Sequence, residues 1–216
     1  MAQYSTHRYW CKRSFVKTPD NPMCDRIMGA AMEAFVEHGY AHTSTLEIAT
    51  RAGISKQTLY ATFPTKQAVL LACVTSRASR IGLPPDLPVP RNRQMLASTL
   101  SAFGARVLLE VNHPHVLAMF RLAIAEARHS PEVAQTLQES RMAGRGAIAE
   151  LVAKAQLAGL LADGDPREMM EQFFALLWGD LLISRLLGDA AVPKAADIET
   201  RAQSATNTFL KLYSNT

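Results

Sequence analysis

Every long segment of this chain that carries an apolar pattern carries it at helical spacing, and no stretch of strand length alternates Val, Ile or Thr with polar residues. Prolines mark where many of these segments begin. Pro114, Pro131, Pro166 and Pro193 each stand at the first turn of a periodic run, where a missing N–H costs little and the fixed φ already suits a helix. The spacing predicts helices over about 92–112, 114–129, 131–159, 166–187 and 193–213. A further helix is predicted from Asp25 to His38, with Ile27, Ala31, Ala34 and Phe35 on one face and Gly39 behind it as the C′ residue. The fold class is therefore all-α, without internal repeats or low-complexity segments.

The segment IGLPPDLPVP, residues 81–90, holds four of the chain's eleven prolines and cannot continue a helix. It predicts a boundary between a unit at 21–81 and a larger one at 91–216, with residues 1–20 as an arm before both. The charge follows the same division. Residues 1–80 hold ten basic and five acidic side chains, whereas 81–216 hold thirteen and fourteen. A basic first third points to a polyanionic partner. No apolar run of signal-peptide length follows Arg8, Lys12, Arg13 and Lys17, and the longest apolar stretch, Phe173 to Ile183, contains Asp180 and falls short of the roughly 20 residues of a membrane span. A cytoplasmic protein with no membrane partner is expected. Cys11, Cys24 and Cys73 match neither a disulfide framework nor a zinc site and read as free thiols.

The most informative segment is Thr45 to Phe63, TLEIATRAGISKQTLYATF. Ser44 and Glu47 have capping-box spacing before a short helix at 45–52, Gly53 permits a tight turn, and Ser55 caps a second short helix that Pro64 ends. A longer helix is predicted from about Thr65 to Arg80. Two short helices joined by a glycine turn, behind a first helix, have the layout of a helix-turn-helix. Ile48, Ala49, Ile54, Leu59 and Phe63 can form its core, leaving Lys56, Gln57, Thr58, Tyr60 and Thr62 outward. Tyr60 also suits a half-core position.

In such a motif the N-terminal part of the second helix enters the major groove of double-stranded DNA. Lys56 can donate to guanine O6/N7 and Gln57 can pair with adenine N6/N7, so these two are the candidate base readers. Thr45, Ser55, Thr58, Tyr60 and Lys66 are candidate phosphate contacts, with Thr62 on the same outward face. Lys66 opposes the dipole of the helix it begins, at a cost of a few tenths of a kcal/mol that a nearby phosphate would reverse. In the arm, Tyr4, Tyr9, Trp10 and Phe15 interleave with the four basic residues, a composition suited to reaching along DNA and equally to a disordered tail. Met23 offers a second translation start.

AAMEAFVEHGY, the EIATRAGISKQTLY core and the FPTK entry to the next helix occur in the order that resembles the TetR family of bacterial transcriptional regulators, over about residues 24–74. FRLAIAEARHSPEV followed by FFALLWGDLLI resembles the C-terminal domain of its AefR-like branch. The resemblance implies a three-helix DNA-binding domain followed by a larger helical dimerisation and ligand-binding domain, in a ligand-responsive repressor that binds a palindromic operator as a homodimer. It also implies that the lysine of the FPTK entry, Lys66, contacts the DNA backbone. Position 57, often Gly in the family, is Gln here.

The implied dimer would form through the last two predicted helices, 166–187 and 193–213. The first is apolar around nearly its whole circumference, with Ala175 and Gly179 small enough for close approach, and the second offers Ile198, Ala202, Ala205, Phe209, Leu210 and Leu212. The implied effector pocket would lie among the helices of 92–187. Phe103, Val107, Met119, Phe120, Arg121, Met142, Ile148, Phe174 and Trp178 are its candidate lining, although Met and aromatic stripes also serve plain cores.

No GxSxG, HExxH, GxGxxG or Walker-type loop is present, so neither an enzyme nor a bound cofactor is expected. Glu110 and His113 have the Glu-x-x-His spacing of a helical di-metal site but lack a second copy, so no metal site is expected either. The remaining rival is an adaptor that uses helix-turn-helix geometry to dock protein.

Overall fold

The computed structural model describes residues 21–81, 89–188 and 191–215, so the 1–20 arm and most of the proline-rich segment lie outside the described residues. Ten α-helices account for the regular structure among them. They are α1 (Pro22–His38), α2 (Thr45–Arg51), α3 (Lys56–Thr62), α4 (Lys66–Ile81), α5 (Arg93–Val111), α6 (Pro114–Glu126), α7 (Pro131–Leu157), α8 (Pro166–Trp178), α9 (Leu181–Leu187) and α10 (Ala195–Leu212).

The caps explain most of the boundaries. Asn21, Ser44, Ser55 and Asn92 each accept a backbone N–H from the first turn of the helix they precede. Ser44 Oγ accepts from Glu47 N at 3.1 Å, but the reciprocal half of the predicted capping box is replaced: the Glu47 carboxylate accepts from Arg51 Nη2 at 2.8 Å. Gly39 ends α1 with φ +81°, and Gly53 turns between α2 and α3 with φ +64°.

The predicted helix over 166–187 is two helices. Gly179 takes φ +44° and ends α8. Arg201 of α10 donates from Nε to Leu177 O and from Nη2 to Trp178 O, both at 2.6 Å, satisfying carbonyls that a continuous helix would have bonded internally. A Cβ at 179 would stand 2.7 Å from Arg201 Nη2, so this glycine is a break held from outside and not a site of helix approach.

Two hydrophobic cores organise the molecule. One joins α5, α7, α8 and α10 around Phe103, Ile148, Phe173 and Phe209. The other joins α1 to α4 around Phe35, Ile48, Leu59 and Leu70, and it is completed by Met119, Leu122 and Ala123 of α6 and Val133 of α7. The helix-turn-helix unit therefore shares its apolar interior with the larger domain. Burial of this shared surface, worth about 25 cal/mol per Å², ties the position of α1 and α4 to that of α6.

Candidate DNA interface and interior cavity

Within the helix-turn-helix, Ile48, Ala49, Leu59 and Phe63 are buried, while Ile54 is half-buried. The backbone N–H of Ile54 bonds Ala49 O at 3.0 Å and that of Gly53 bonds Thr50 O at 3.1 Å, which fixes the turn between the two helices. α3 thus presents Lys56, Gln57 and Tyr60 outward, with Thr58 and Thr62 half-buried beside them. Ser55 Oγ, besides capping Thr58 N, lies 2.8 Å from Thr58 Oγ1. Tyr60, 42% exposed, hydrogen-bonds Thr45 Oγ1 at 2.9 Å, and Lys56 Nζ sits 5.7 Å from its ring centroid. Thr62 Oγ1 donates to Thr58 O at 2.9 Å. One surface therefore gathers the exposed end of α3 and the hydroxyls of Thr45, Ser55 and Tyr60.

Lys66 does not join that surface. Its Nζ donates to Tyr40 O at 2.6 Å, Thr43 O at 3.0 Å and Ala41 O at 3.2 Å, and lies 4.4 Å from the Tyr40 ring centroid. An ammonium has three protons, and in this structure the three carbonyls of the α1–α2 corner take them up, whereas the sequence expectation set Lys66 on a DNA phosphate. Desolvation lowers the Lys66 pKa, and Glu126 and Glu132 oppose that shift. Arg51 is likewise engaged, at 2.7 Å from Glu37 and 2.8 Å from Glu47; its hydrogen bond holds Glu37 below the ordinary carboxylate range. Among the described side chains of α2 and α3, Lys56 is the cation left facing outward. Sequence reasoning missed these clamps because their partners are backbone carbonyls and residues of the preceding helix.

On the opposite side of α4 lies a cavity of about 340 Å³, within the range of small-molecule sites. Phe103 and Val107 of α5, Met119 and Phe120 of α6, and Phe174 and Trp178 of α8 line it. It also opens onto Asp25, Met28, Gly29 and Met32 of α1 and onto Cys73, Val74 and Ser76 of α4, so it reaches beyond the 92–187 helices into the DNA-binding unit. Three expected lining residues lie elsewhere. Ile148 is fully buried in the α5–α7–α8–α10 core, and Met142 is 48% exposed. Arg121 caps α9, donating to Leu186 O at 3.0 Å and Arg185 O at 2.9 Å. α7 instead contributes Leu137, Ser140, Arg141 and Arg145. The Cys73 thiol faces the cavity, and burial pushes its pKa up to about 12, which disfavours the nucleophilic thiolate.

The face expected to dimerise also differs. Ile198, Ala202, Ala205, Phe209 and Leu210 are buried in their own protomer. The outer face of α10 instead shows Thr200, Ser204 and Thr208, with Leu212 exposed at the end. Among the described residues no group of His, Cys, Asp and Glu is placed to hold a metal ion, and no helix is long and apolar enough to cross a membrane.

A capped helix-turn-helix packed on a larger helical domain is the arrangement of DNA-binding transcriptional regulators. Residues 27–73 match the bacterial regulatory proteins of the tetR family, and residues 98–215 match the AefR-like transcriptional repressor C-terminal domain. The chain belongs to the TetR family of transcriptional regulators, which bind DNA operators as dimers and are not enzymes. It is 23% identical to the HTH-type transcriptional regulator YvkB of Bacillus subtilis, over 79% of this chain and 87% of that one. It is 31% identical to the HTH-type transcriptional activator FasR of Mycolicibacterium smegmatis, over 50% of this chain and 56% of that one. Among solved structures, a TetR regulator from Agrobacterium tumefaciens aligns with a TM-score of 0.73 at 27% identity, over 89% of this chain and 95% of that one. The flavonoid-responsive regulator FrrA aligns with a TM-score of 0.70 at 30% identity, over 89% and 97%.

Proposed function

We propose that this chain is a ligand-responsive repressor that binds a two-fold symmetric operator as a homodimer, with a DNA-binding unit at 21–81 and an effector and dimerisation unit at 91–216. The observation that carries this reading is the cavity, which has α1 and α4 of the DNA-binding unit for one wall and α5 to α8 for the other. A molecule seated there touches the helices that position α3. Lys56 and Gln57 are the base readers in this reading, and Thr45, Ser55, Thr58, Tyr60 and Thr62 set register on the backbone. Repression is supported by the AefR-like repressor domain matched over 98–215, and ligand response by the flavonoid-responsive relative. The effector favours the arrangement that does not fit DNA; a near-complete switch needs about 5.5 kcal/mol of differential affinity.

The dimer pairs the outer faces of α8 and α10, where the half-buried Leu176 shares a groove with Thr200, Ser204 and Thr208, and Ala175, Ile183 and Leu187 are exposed. Two copies of α3 then address successive major grooves about 34–36 Å apart.

Selection from a random-duplex pool tests the DNA reading. The wild-type protein enriches a two-fold symmetric site, and Lys56→Ala and Gln57→Ala each relax one or two positions per half-site. A pool with no enriched motif refutes sequence-specific binding and favours the adaptor reading.

A further inference from the structure

We infer that the cavity is built for an amphipathic organic anion, its carboxylate held by Arg141 and Arg145 and its apolar body among Phe103, Met119, Phe174 and Trp178. This rests on the reading of the cavity as the effector site and names the class of ligand it takes.

Arg141 and Arg145 are one helical turn apart on α7, both on the cavity wall. Like charges at this spacing repel by a few tenths of a kcal/mol on a helix surface, and here Arg141 is exposed at the rim of the cavity while Arg145 is half-buried. Desolvation, then the neighbouring Arg145, lowers the Arg141 pKa, although the group stays charged at neutral pH. Aromatic faces position both guanidinium groups: Arg145 Cζ lies 5.0 Å from the Phe174 ring centroid and Arg141 Cζ 5.8 Å from that of Phe120. Among the described residues, neither has a close buried carboxylate as partner. Arg141 Nη1 donates to the amide oxygen of Gln138 at 3.2 Å, and the carboxylate beside Arg145 is Glu171, 62% exposed and at 4.0 Å. Asp25, the acidic residue of the lining, is exposed on α1.

Two preoriented forks at the edge of an apolar chamber suit a carboxylate, which accepts bidentate hydrogen bonds and cancels the repulsion between them. The rest of the chamber suits a hydrocarbon body. Phe103 and Phe174 meet edge to face at 6.0 Å, and Phe174 stacks with Trp178 at 6.1 Å. A volume near 340 Å³ limits that body to a compact acid.

The chain has two tryptophans, so Trp10→Phe leaves Trp178, on the cavity wall, as the sole emitter. In this background decanoate and 4-phenylbutyrate are titrated beside decanol and 4-phenylbutanol, which separates aliphatic from aromatic bodies and charged from neutral heads. At least one acid is expected to saturate the Trp178 signal at a concentration at least tenfold below that of its alcohol. The Arg141→Gln/Arg145→Gln double variant, checked for an unchanged helical circular-dichroism spectrum, should bring the acid to the affinity of its alcohol while moving the alcohol by less than twofold. Arg145→Lys, which keeps the charge and loses the fork, should fall between. Alcohols that bind as tightly as the acids, or arginine variants that weaken both alike, overturn the anion assignment and leave the cavity as an effector site. No signal from any of the four probes also overturns it; the effector reading then stands or falls on a ligand-free variant that fills the cavity.

Discussion

The Lys66 ammonium, at the first residue of α4, lies 2.6 Å from the carbonyl oxygen of Tyr40 and 4.4 Å from the centre of the same residue's ring. Two further carbonyls of the 41–43 corner complete its coordination. α6 meets that corner too: the buried Glu126 accepts from Ala41 N at 3.4 Å, and a Cβ on Gly39 would come within 2.8 Å of its Oε1. The α1–α2 corner is thus held at once by α4 and by the domain that carries the cavity.

Lys66→Met keeps most of the stem and removes three hydrogen bonds. It should cost about 1–2 kcal/mol and lower the melting temperature by several degrees. Operator and random DNA should both bind more weakly, because α2 and α3 lose their anchored approach. A residue that only contacted phosphate would leave the melting temperature unchanged, so thermal unfolding separates the two roles.

The reassigned lining residues give a second contrast. Ile148→Ala should destabilise by about 2–5 kcal/mol, since it empties a fully buried site in the α5–α7–α8–α10 core. Met142→Ala, at a position 48% exposed, should stay within about 0.5 kcal/mol. Denaturant unfolding checks both, and neither should shift a cavity ligand's affinity at concentrations where the protein is folded.

Alkaline pH should expose the Cys73 thiol. Its ordinary pKa is 9.0 and burial raises it to about 12 in the folded state. The unfolded chain therefore loses this proton first, and the stability the neutral thiol contributes is full below pH 9 and declines above it. The decline approaches about 1.4 kcal/mol per pH unit. Melting temperatures of wild type and Cys73→Ala between pH 8 and 10.5 should show the steeper fall in wild type. Parallel slopes would mean that the thiol is not shielded in solution.

Much of the fold was legible because its signals are local. Caps at Ser44 and Ser55, glycine turns at 39 and 53, and prolines opening three of the later helices all act within a few residues, and eight of the ten helices lie near the bounds the sequence predicts. The break at Gly179 was not legible. The apolar pattern runs straight through it, and the carbonyls it frees are capped by Arg201, more than twenty residues away. The same reason hid the partners of Arg121 and Lys66, whose charges suggested ligand and phosphate and which here bond distant backbone carbonyls. Arg141 and Arg145 were passed over because two arginines on an amphipathic helix read as a solvated face until the packing of Phe120 and Phe174 is known.

Gly29 offers the most direct test of coupling between the cavity and DNA. It sits within α1 on the cavity wall, and a Cβ there meets nothing within 4 Å. Gly29→Leu should occupy part of the chamber without any ligand and gain about 0.5–1 kcal/mol of helix propensity. Fluorescence anisotropy with the selected operator should then show specific affinity at least tenfold below wild type, while binding to random duplex keeps the wild-type salt dependence. A well-folded Gly29→Leu protein that binds the operator as tightly as wild type would contradict the claim that this cavity controls the DNA-binding helices.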